Sequence, residues 1–191
     1  MAILKEIKER YSPVLFKAKA VPLSKRKNCL EAARLAPSCS NKQPWKFVLV
    51  EGKKRISKLE AVFPRGNQWA LAAPIVGFIV SKAEDACISE GNDNLAYFQY
   101  DCGMAMMNFV LQAEKEGLKA HQMAGYSEKE AKKLLKVPAD YRVIVAFALG
   151  YEEKLKDIKR EMDPRMVEKV KNLSKSRIRK PLKEVYSMNT F

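Results

Sequence analysis

The chain has 191 residues, 47% hydrophobic and 30% charged, with a net charge of +14. This length and balance fit one globular domain that buries roughly 70% of its unfolded surface, and exclude a disordered or fibrous chain. No apolar run approaches the ~20 residues of a membrane-spanning helix, so no membrane partner is expected and the protein is read as cytoplasmic.

Residues 2–9 have the pattern of an amphipathic helix, stopped before Tyr11-Ser12-Pro13; Glu6 and Glu9 set it apart from a secretion signal. A second helix, with Ser24 as N-cap, runs to about Leu35 with Cys29, Leu30, Ala33 and Ala36 at helical spacing. Ten residues without glycine, Ala36-Pro37-Ser38-Cys39-Ser40-Asn41-Lys42-Gln43-Pro44-Trp45, then lead into a strand over 45–50. Each proline biases its predecessor away from helix, so this linker is expected to run extended. Its amides and hydroxyls need backbone, water or ligand as partners. Taken alone, the segment is compatible with a structural turn as well as a ligand site.

A short helix near 53–60 turns Ile56 and Leu59 inward, and a helical turn over 67–73 ends at Pro74. Ile75-Val76-Gly77-Phe78-Ile79-Val80 is a continuous apolar run, the signature of a strand buried on both faces. The polar stretch 83–94 is a natural place for a gating loop. The longest helix is expected over 94–117, where Cys102-Gly103-Met104-Ala105-Met106-Met107 is apolar nearly all round, as in a core helix, and Gly117 ends it. Residues 119–122 are extended. Ser127 and Glu130 form a capping box for a helix with Ala131, Leu134 and Leu135 inward, stopping near Val137-Pro138. Arg142 to Gly150 is a third buried strand. Beyond Tyr151 the chain is charged and helix-biased, and 177–191 has no helical period, although Val185, Tyr186, Met188 and Phe191 favour a packed tail. The order of elements predicts an α+β fold with a central mixed sheet flanked by helices.

Charge is uneven: residues 1–60 carry +10, residues 61–150 carry −1 and residues 151–191 carry +5. Basic ends fit either a solvated surface or a site for a phosphate-bearing ligand. No aromatic interleaving or reading motif accompanies them, so nucleic acid is not an expected partner. Four cysteines (Cys29, Cys39, Cys87, Cys102) without C-x-x-C pairing, and the lone His121, argue against a metal site and are read as reduced thiols. There is no nucleophile–His–acid set and no G-x-G-x-x-G or G-x-x-x-x-G-K loop.

The linker spacing Ala-Pro-Ser-x-x-Asn-x-Gln-Pro-Trp resembles the flavin-contacting segment of the nitroreductase family of FMN enzymes, and the resemblance extends over nearly the whole chain. Arg10-Tyr11-Ser12 stands where that family binds flavin phosphate and ribityl with an Arg-x-Ser segment. A guanidinium gives phosphate a bidentate partner, and a hydroxyl adds a donor. Ser38, Cys39, Asn41 and Gln43 match the family's flavin-contacting positions, Cys39 replacing the usual Ser. Asn67 resembles its ring-edge amide. Met123-Ala124-Gly125 resembles the segment whose backbone N–H meets flavin N5 or O4, with Gly125 permitting close approach. Arg177 and Arg179 resemble a C-terminal basic segment that closes on the phosphate. Val14 departs from the family, which has Arg or Lys there near the flavin pyrimidine; Lys17, Lys19 or Lys42 are candidate substitutes.

The resemblance implies one domain over 1–191, an intertwined homodimer with a C-terminal arm from about 174 to 191, and flavin at the dimer interface. It implies hydride transfer from NADH or NADPH, through FMN, to a small acceptor such as a nitroaromatic or quinone, with no side-chain catalyst and no metal. Two alternatives share the fold: a different redox role, as a dehalogenase or dehydrogenase, and a flavin carrier or sensor. A basic nucleic-acid module is a third.

Overall fold

A computed structural model describes residues 2–89, 95–158, 162–175 and 178–190. It forms two compact units, Met1–Glu153 and Lys154–Phe191. In the first, α1 (Lys5–Glu9) and α2 (Leu23–Arg34) precede β1 (Lys46–Glu51), and α3 (Lys53–Ile56) with two 3₁₀ stretches, Ser57–Val62 and Arg65–Ala72, leads to β2 (Ile75–Ser81). The short strands β3 (Ile88–Ser89) and β4 (Leu95–Ala96) pair with each other ahead of α4 (Phe98–Lys115). After α4 come β5 (Lys119–Met123), α5 (Glu128–Leu135) and β6 (Arg142–Gly150). The second unit contains α6 (Pro164–Lys175) and a 3₁₀ turn at Leu182–Glu184.

The main sheet has the order β1-β2-β6-β5 and every pair is antiparallel. This corrects the mixed sheet expected from sequence. Helical residues between successive strands read like the crossover of a parallel pair. Here they return the chain to the end of the sheet that it left, so Glu51 of β1 faces Ile75 of β2.

All seven residues of β2 are buried, as its unbroken apolar run predicts. Its alternation serves two layers. Ile75 and Ile79 join the core beneath α2 and α4, with Cys29, Ala33, Cys102, Met106 and Phe109. Phe78 points the other way, stacked on Phe63 at 6.3 Å. On the α4 side Phe47, Phe109 and Phe147 form a triangle of rings, 5.1–6.3 Å apart. Gly77 makes room for it, since a Cβ there would stand 2.1 Å from Phe147 Cζ.

The end of α4 follows sequence logic. Gly117 has φ +72, its N–H donates to Glu114 O and the Leu118 N–H to Ala113 O, the paired bonds of a glycine-terminated helix. Ser127 caps α5 by accepting from Glu130 N, but its own N–H donates to Val62 O, so the reciprocal half of the capping box is replaced by a tertiary bond. Ser24 does not cap α2, which begins one residue earlier behind Pro22. Leu134 is exposed, not inward; Val185, Tyr186 and Met188 are exposed too, and Phe191 lies outside the described residues.

The Gly77–Phe147 contact sets a stability test. Gly77→Ala forces overpacking in a filled core, expected to cost about 1–3 kcal/mol. Urea unfolding should show a lower midpoint with an unchanged slope.

Candidate functional site

The antiparallel register gathers the start of β1, the end of β2 and the start of β6 at one end of the sheet, since Lys46 faces Val80 and Ser81 faces Arg142; β5 runs toward that end and stops halfway, where Met123 faces Ala146. The sequence-derived candidates of the first unit fall into two groups. One runs along edge strand β5, the other precedes edge strand β1. Three strand spacings, roughly 14 Å, separate those edges.

Along β5, His121 Nδ1 donates to Pro13 O at 2.8 Å and so pins the chain just after Arg10, Tyr11 and Ser12. The His121 ring lies 4.5 Å from Trp69, whose Nε1 donates to Asn67 Oδ1 at 3.3 Å. Asn67 Nδ2 donates in turn to Gly125 O at 2.8 Å. A Cβ on Gly125 would meet that Nδ2 at 2.7 Å, so this amide and this backbone approach so closely only because residue 125 is glycine. Lys119 Nζ sits 4.5 Å over the Tyr11 ring and pairs with Glu114 at 2.5 Å. Arg10, Tyr11 and Ser12 are half-buried, and Ala124 and Gly125 exposed.

Sequence reasoning named Asn67 and Gly125 but not what joins them to Arg10: Trp69, His121 and Pro13. A lone histidine and a tryptophan carry no motif, and the signal in hand was their number, one and two in the chain. The Met123 side chain is buried, which leaves its backbone to a ligand, and Val14 is 2% exposed, packed in the core. Of the proposed substitutes for the cation missing at position 14, Lys42 Nζ donates to Ala86 O at 3.0 Å and Lys19 covers the Tyr151 ring.

Before β1 the linker is a tight turn, not an extended run. Ser38 is extended, but Ser40, Asn41 and Gln43 have φ of 49, 54 and 48, left-handed conformations that L-residues other than Asn and Asp rarely adopt. Local bonds hold them: Ser38 Oγ accepts from Gln43 N at 2.9 Å, and Gln43 Nε2 donates to Asn41 O and Oδ1, each at 3.1 Å. This use of Gln43 Nε2 leaves Asn41 Nδ2 and Gln43 Oε1 without partners among the described residues, a donor and an acceptor side by side on an exposed turn. Pro44 is buried and Trp45 packs on the core, fixing the exit into β1.

Two tertiary ties hold the entry. Cys39 N donates to Asp101 Oδ1 at 3.4 Å, and Cys39 is joined to Cys87 in a disulfide with Cα atoms 5.9 Å apart. Reduced thiols at these two positions were the expectation, and the fold corrects it by bringing the residues within bonding distance. Cys29 and Cys102 are free and buried, and burial pushes their thiols up to about 12 and 11. Of the expected gating stretch, residues 83–89 form a turn and β3, while 90–94 lie outside the described residues. Arg179, in the second unit, is exposed and donates to Ile178 O; Arg177 lies outside the described residues.

The two groups carry the kinds of donor and acceptor that a phosphorylated flavin would require. A guanidinium and a hydroxyl (Arg10, Ser12) suit phosphate. A fixed donor–acceptor amide pair (Asn41, Gln43) suits a pyrimidine edge that itself carries both. The exposed Ala124 and Gly125 leave backbone accessible beside the Asn67 amide. Among the described residues no cluster of His, Cys, Asp and Glu could hold a metal, and no helix is long and apolar enough to cross a membrane.

Residues 7–151 match the model of the nitroreductase family, which ends close to the boundary of the first unit. A relative from Archaeoglobus fulgidus, named by inference as an NADH dehydrogenase/NAD(P)H nitroreductase, is 28% identical over 137 residues, covering 67% of this chain and 72% of its own. A solved oxidoreductase containing FMN superposes with a TM-score of 0.80 at 26% identity, over 100% of this chain and 93% of the other. A nitroreductase family protein from Clostridium novyi NT gives 0.72 at 27% identity, over 83% and 89%.

Beside the Ala124–Gly125 backbone, Glu128 grips Arg142 with both oxygens (2.8 and 3.0 Å) and accepts from Val143 N at 3.0 Å. The Arg142 hydrogen bond, foremost, holds the Glu128 carboxyl below its ordinary value of 4.5. A depressed folded-state pKa stabilises the protein above that ordinary value, and the contribution disappears as pH falls through the depressed one. Arg142 is mostly exposed, so solvent screening limits the pair to about 1 kcal/mol. Glu128→Gln should lower stability by about that much at neutral pH and flatten the acid limb of stability against pH, measured by urea unfolding from pH 7 to 3.

Proposed function

The chain belongs to the nitroreductase family, and we propose that it is an FMN oxidoreductase. It draws reducing equivalents from NADH or NADPH and passes them to a small organic acceptor such as a nitroaromatic or a quinone. The observation that carries this reading is the left-handed turn that fixes Asn41 and Gln43 as an outward-facing amide pair. The FMN named for the structural neighbour and the NAD(P)H named for the archaeal relative support the choice of cofactor and donor.

When bound, FMN supplies the two-electron hydride chemistry. The chain's own residues bind and orient. Arg10 and Ser12 hold the phosphate end, and the bond from His121 to Pro13 O limits their movement. Asn67 and the Ala124–Gly125 backbone would meet the ring edge, and the Asn67–Gly125 bond ties the two to each other. Asn41 and Gln43 pair with the pyrimidine edge. Because these groups flank opposite edges of one sheet, a single flavin meets both when two copies of the chain come together, and we propose a homodimer with flavin between subunits. No side chain acts as acid or base; the residues accelerate the reaction by orientation and by fixed donors facing developing charge.

The purified protein should be yellow and release FMN on denaturation. A colourless preparation that added FMN does not restore would contradict the assignment. Arg10→Ala removes a charge-assisted bond to phosphate and should weaken FMN binding by about 1.5–3 kcal/mol, with far-ultraviolet circular dichroism unchanged. Equilibrium dialysis measures the first, and unaltered affinity would remove Arg10 from the site.

A further inference from the structure

We propose that Cys39–Cys87 is a reversible thiol–disulfide site, exchanging with low-molecular-mass thiols, whose oxidation state sets how firmly the Asn41–Gln43 turn is held for its ligand. The coupling to ligand rests on the flavin reading above; the exchange itself does not.

The bond joins residues 48 apart in sequence, one in the turn before β1 and one in the segment after β2. Both cysteines are half-buried, and their neighbours Ser40 and Ile88 are exposed, so a small thiol has a path to the sulfurs. The other two cysteines differ in both respects: Cys29 and Cys102 are 0% and 1% exposed, with thiols held neutral by burial. The chain thus has one accessible pair able to exchange and one inert pair.

What the bond restrains is a strained segment. Three left-handed L-residues in four positions, Ser40, Asn41 and Gln43, adopt conformations that persist only when the surroundings hold them. The bonds from Ser38 to Gln43 and from Gln43 to Asn41 are internal to the turn and move with it. The side-chain ties to the rest of the fold are Cys39 N to Asp101 Oδ1, Lys42 Nζ to Ala86 O, a Ser40 Oγ–Cys87 Sγ contact at 3.6 Å, and the disulfide. Three of these four reach the same short segment, Ala86-Cys87, so cleavage leaves that junction to one exposed lysine and one long hydroxyl–sulfur contact. Asp101, which holds the Cys39 N–H, is buried, and its Oδ2 has no hydrogen-bond partner among the described residues.

The exchange balances as follows. A thiolate attacks one sulfur of the pair, the S–S bond breaks, a mixed disulfide forms, and the other cysteine leaves as thiolate and takes a proton from water. A second thiolate attacks the outer sulfur of the mixed disulfide, expelling the second cysteine, which is protonated in turn. Two external thiols are oxidised to one external disulfide, and one protein disulfide is reduced to two thiols.

The test equilibrates the full chain in buffers of reduced and oxidised dithiothreitol, alkylates free thiols, and maps them by peptide mass spectrometry. FMN affinity is then measured for each form by quenching of FMN fluorescence. Cys39 and Cys87 should become alkylated together across one two-electron transition while Cys29 and Cys102 stay unmodified. The oxidised form should bind FMN roughly tenfold more tightly, a ratio equivalent to about 1.4 kcal/mol. Cys87→Ser should bind like the reduced wild type, and chemical reduction of the wild type gives the same comparison if that variant folds poorly. Free thiols at Cys39 and Cys87 in protein never exposed to reductant, or a bond that excess dithiothreitol leaves intact in the folded protein, would overturn the exchange. Equal FMN affinity in both forms would overturn the coupling. Binding of FMN by neither form would sink the flavin reading and the coupling with it, while the alkylation map still decides the exchange.

Discussion

Seven consecutive buried residues of β2 lie against β6, with Gly77 leaving the space that the Phe147 ring fills. The candidate site depends on that pairing. Fully burying a side chain such as Phe78 or Ile79 contributes roughly 1.5–3 kcal/mol, and a one-residue slip would exchange the two faces of the strand. Ile75 and Ile79 would leave the α4 layer, and Phe78 would leave Phe63. With the register fixed, the end of β2 and the starts of β1 and β6 share one end of the sheet, toward which edge strand β5 runs. The loops that carry the polar candidates emerge there or along the β5 edge.

Rigid core and strained loop divide the work. Near β5, tension is avoided: a glycine stands where Asn67 must approach, and a chain of contacts through Trp69 and His121 ties the Arg10 segment to the sheet. Near β1, tension is accepted. Ser40 and Gln43 sit in left-handed backbone without being glycine, and the gain is a pair of amides held at a fixed spacing outside the fold. Such strain is found at ligand sites because the surroundings can hold it and the exposed groups are then pre-organised.

Much of this was legible in the sequence for identifiable reasons. The apolar run from Ile75, the β6 strand from Arg142 to Gly150, the Gly117 helix end and the Ser127 cap are local patterns, and local patterns survive folding. The polar residues of the linker were recognisable by type and spacing. Its conformation was not, because two prolines and no glycine indicate extended chain, whereas the turn is imposed by Asp101 and Cys87, which lie far away in sequence. The same holds for the sheet. Strand direction depends on where the connecting helices pack, and no window of sequence reports that. Val14 was legible as a departure from the family pattern but not as a core residue, because its burial depends on elements distant in sequence.

The central claim is that this scaffold brings a nicotinamide donor and FMN into productive contact. Its most direct test is an anaerobic titration of FMN-loaded protein with NADH and, separately, NADPH, followed through the visible flavin absorbance. The account predicts stoichiometric bleaching by at least one donor and recovery of the oxidised spectrum on adding a quinone. A flavin spectrum that neither donor changes, in protein that dithionite reduces normally, would contradict it.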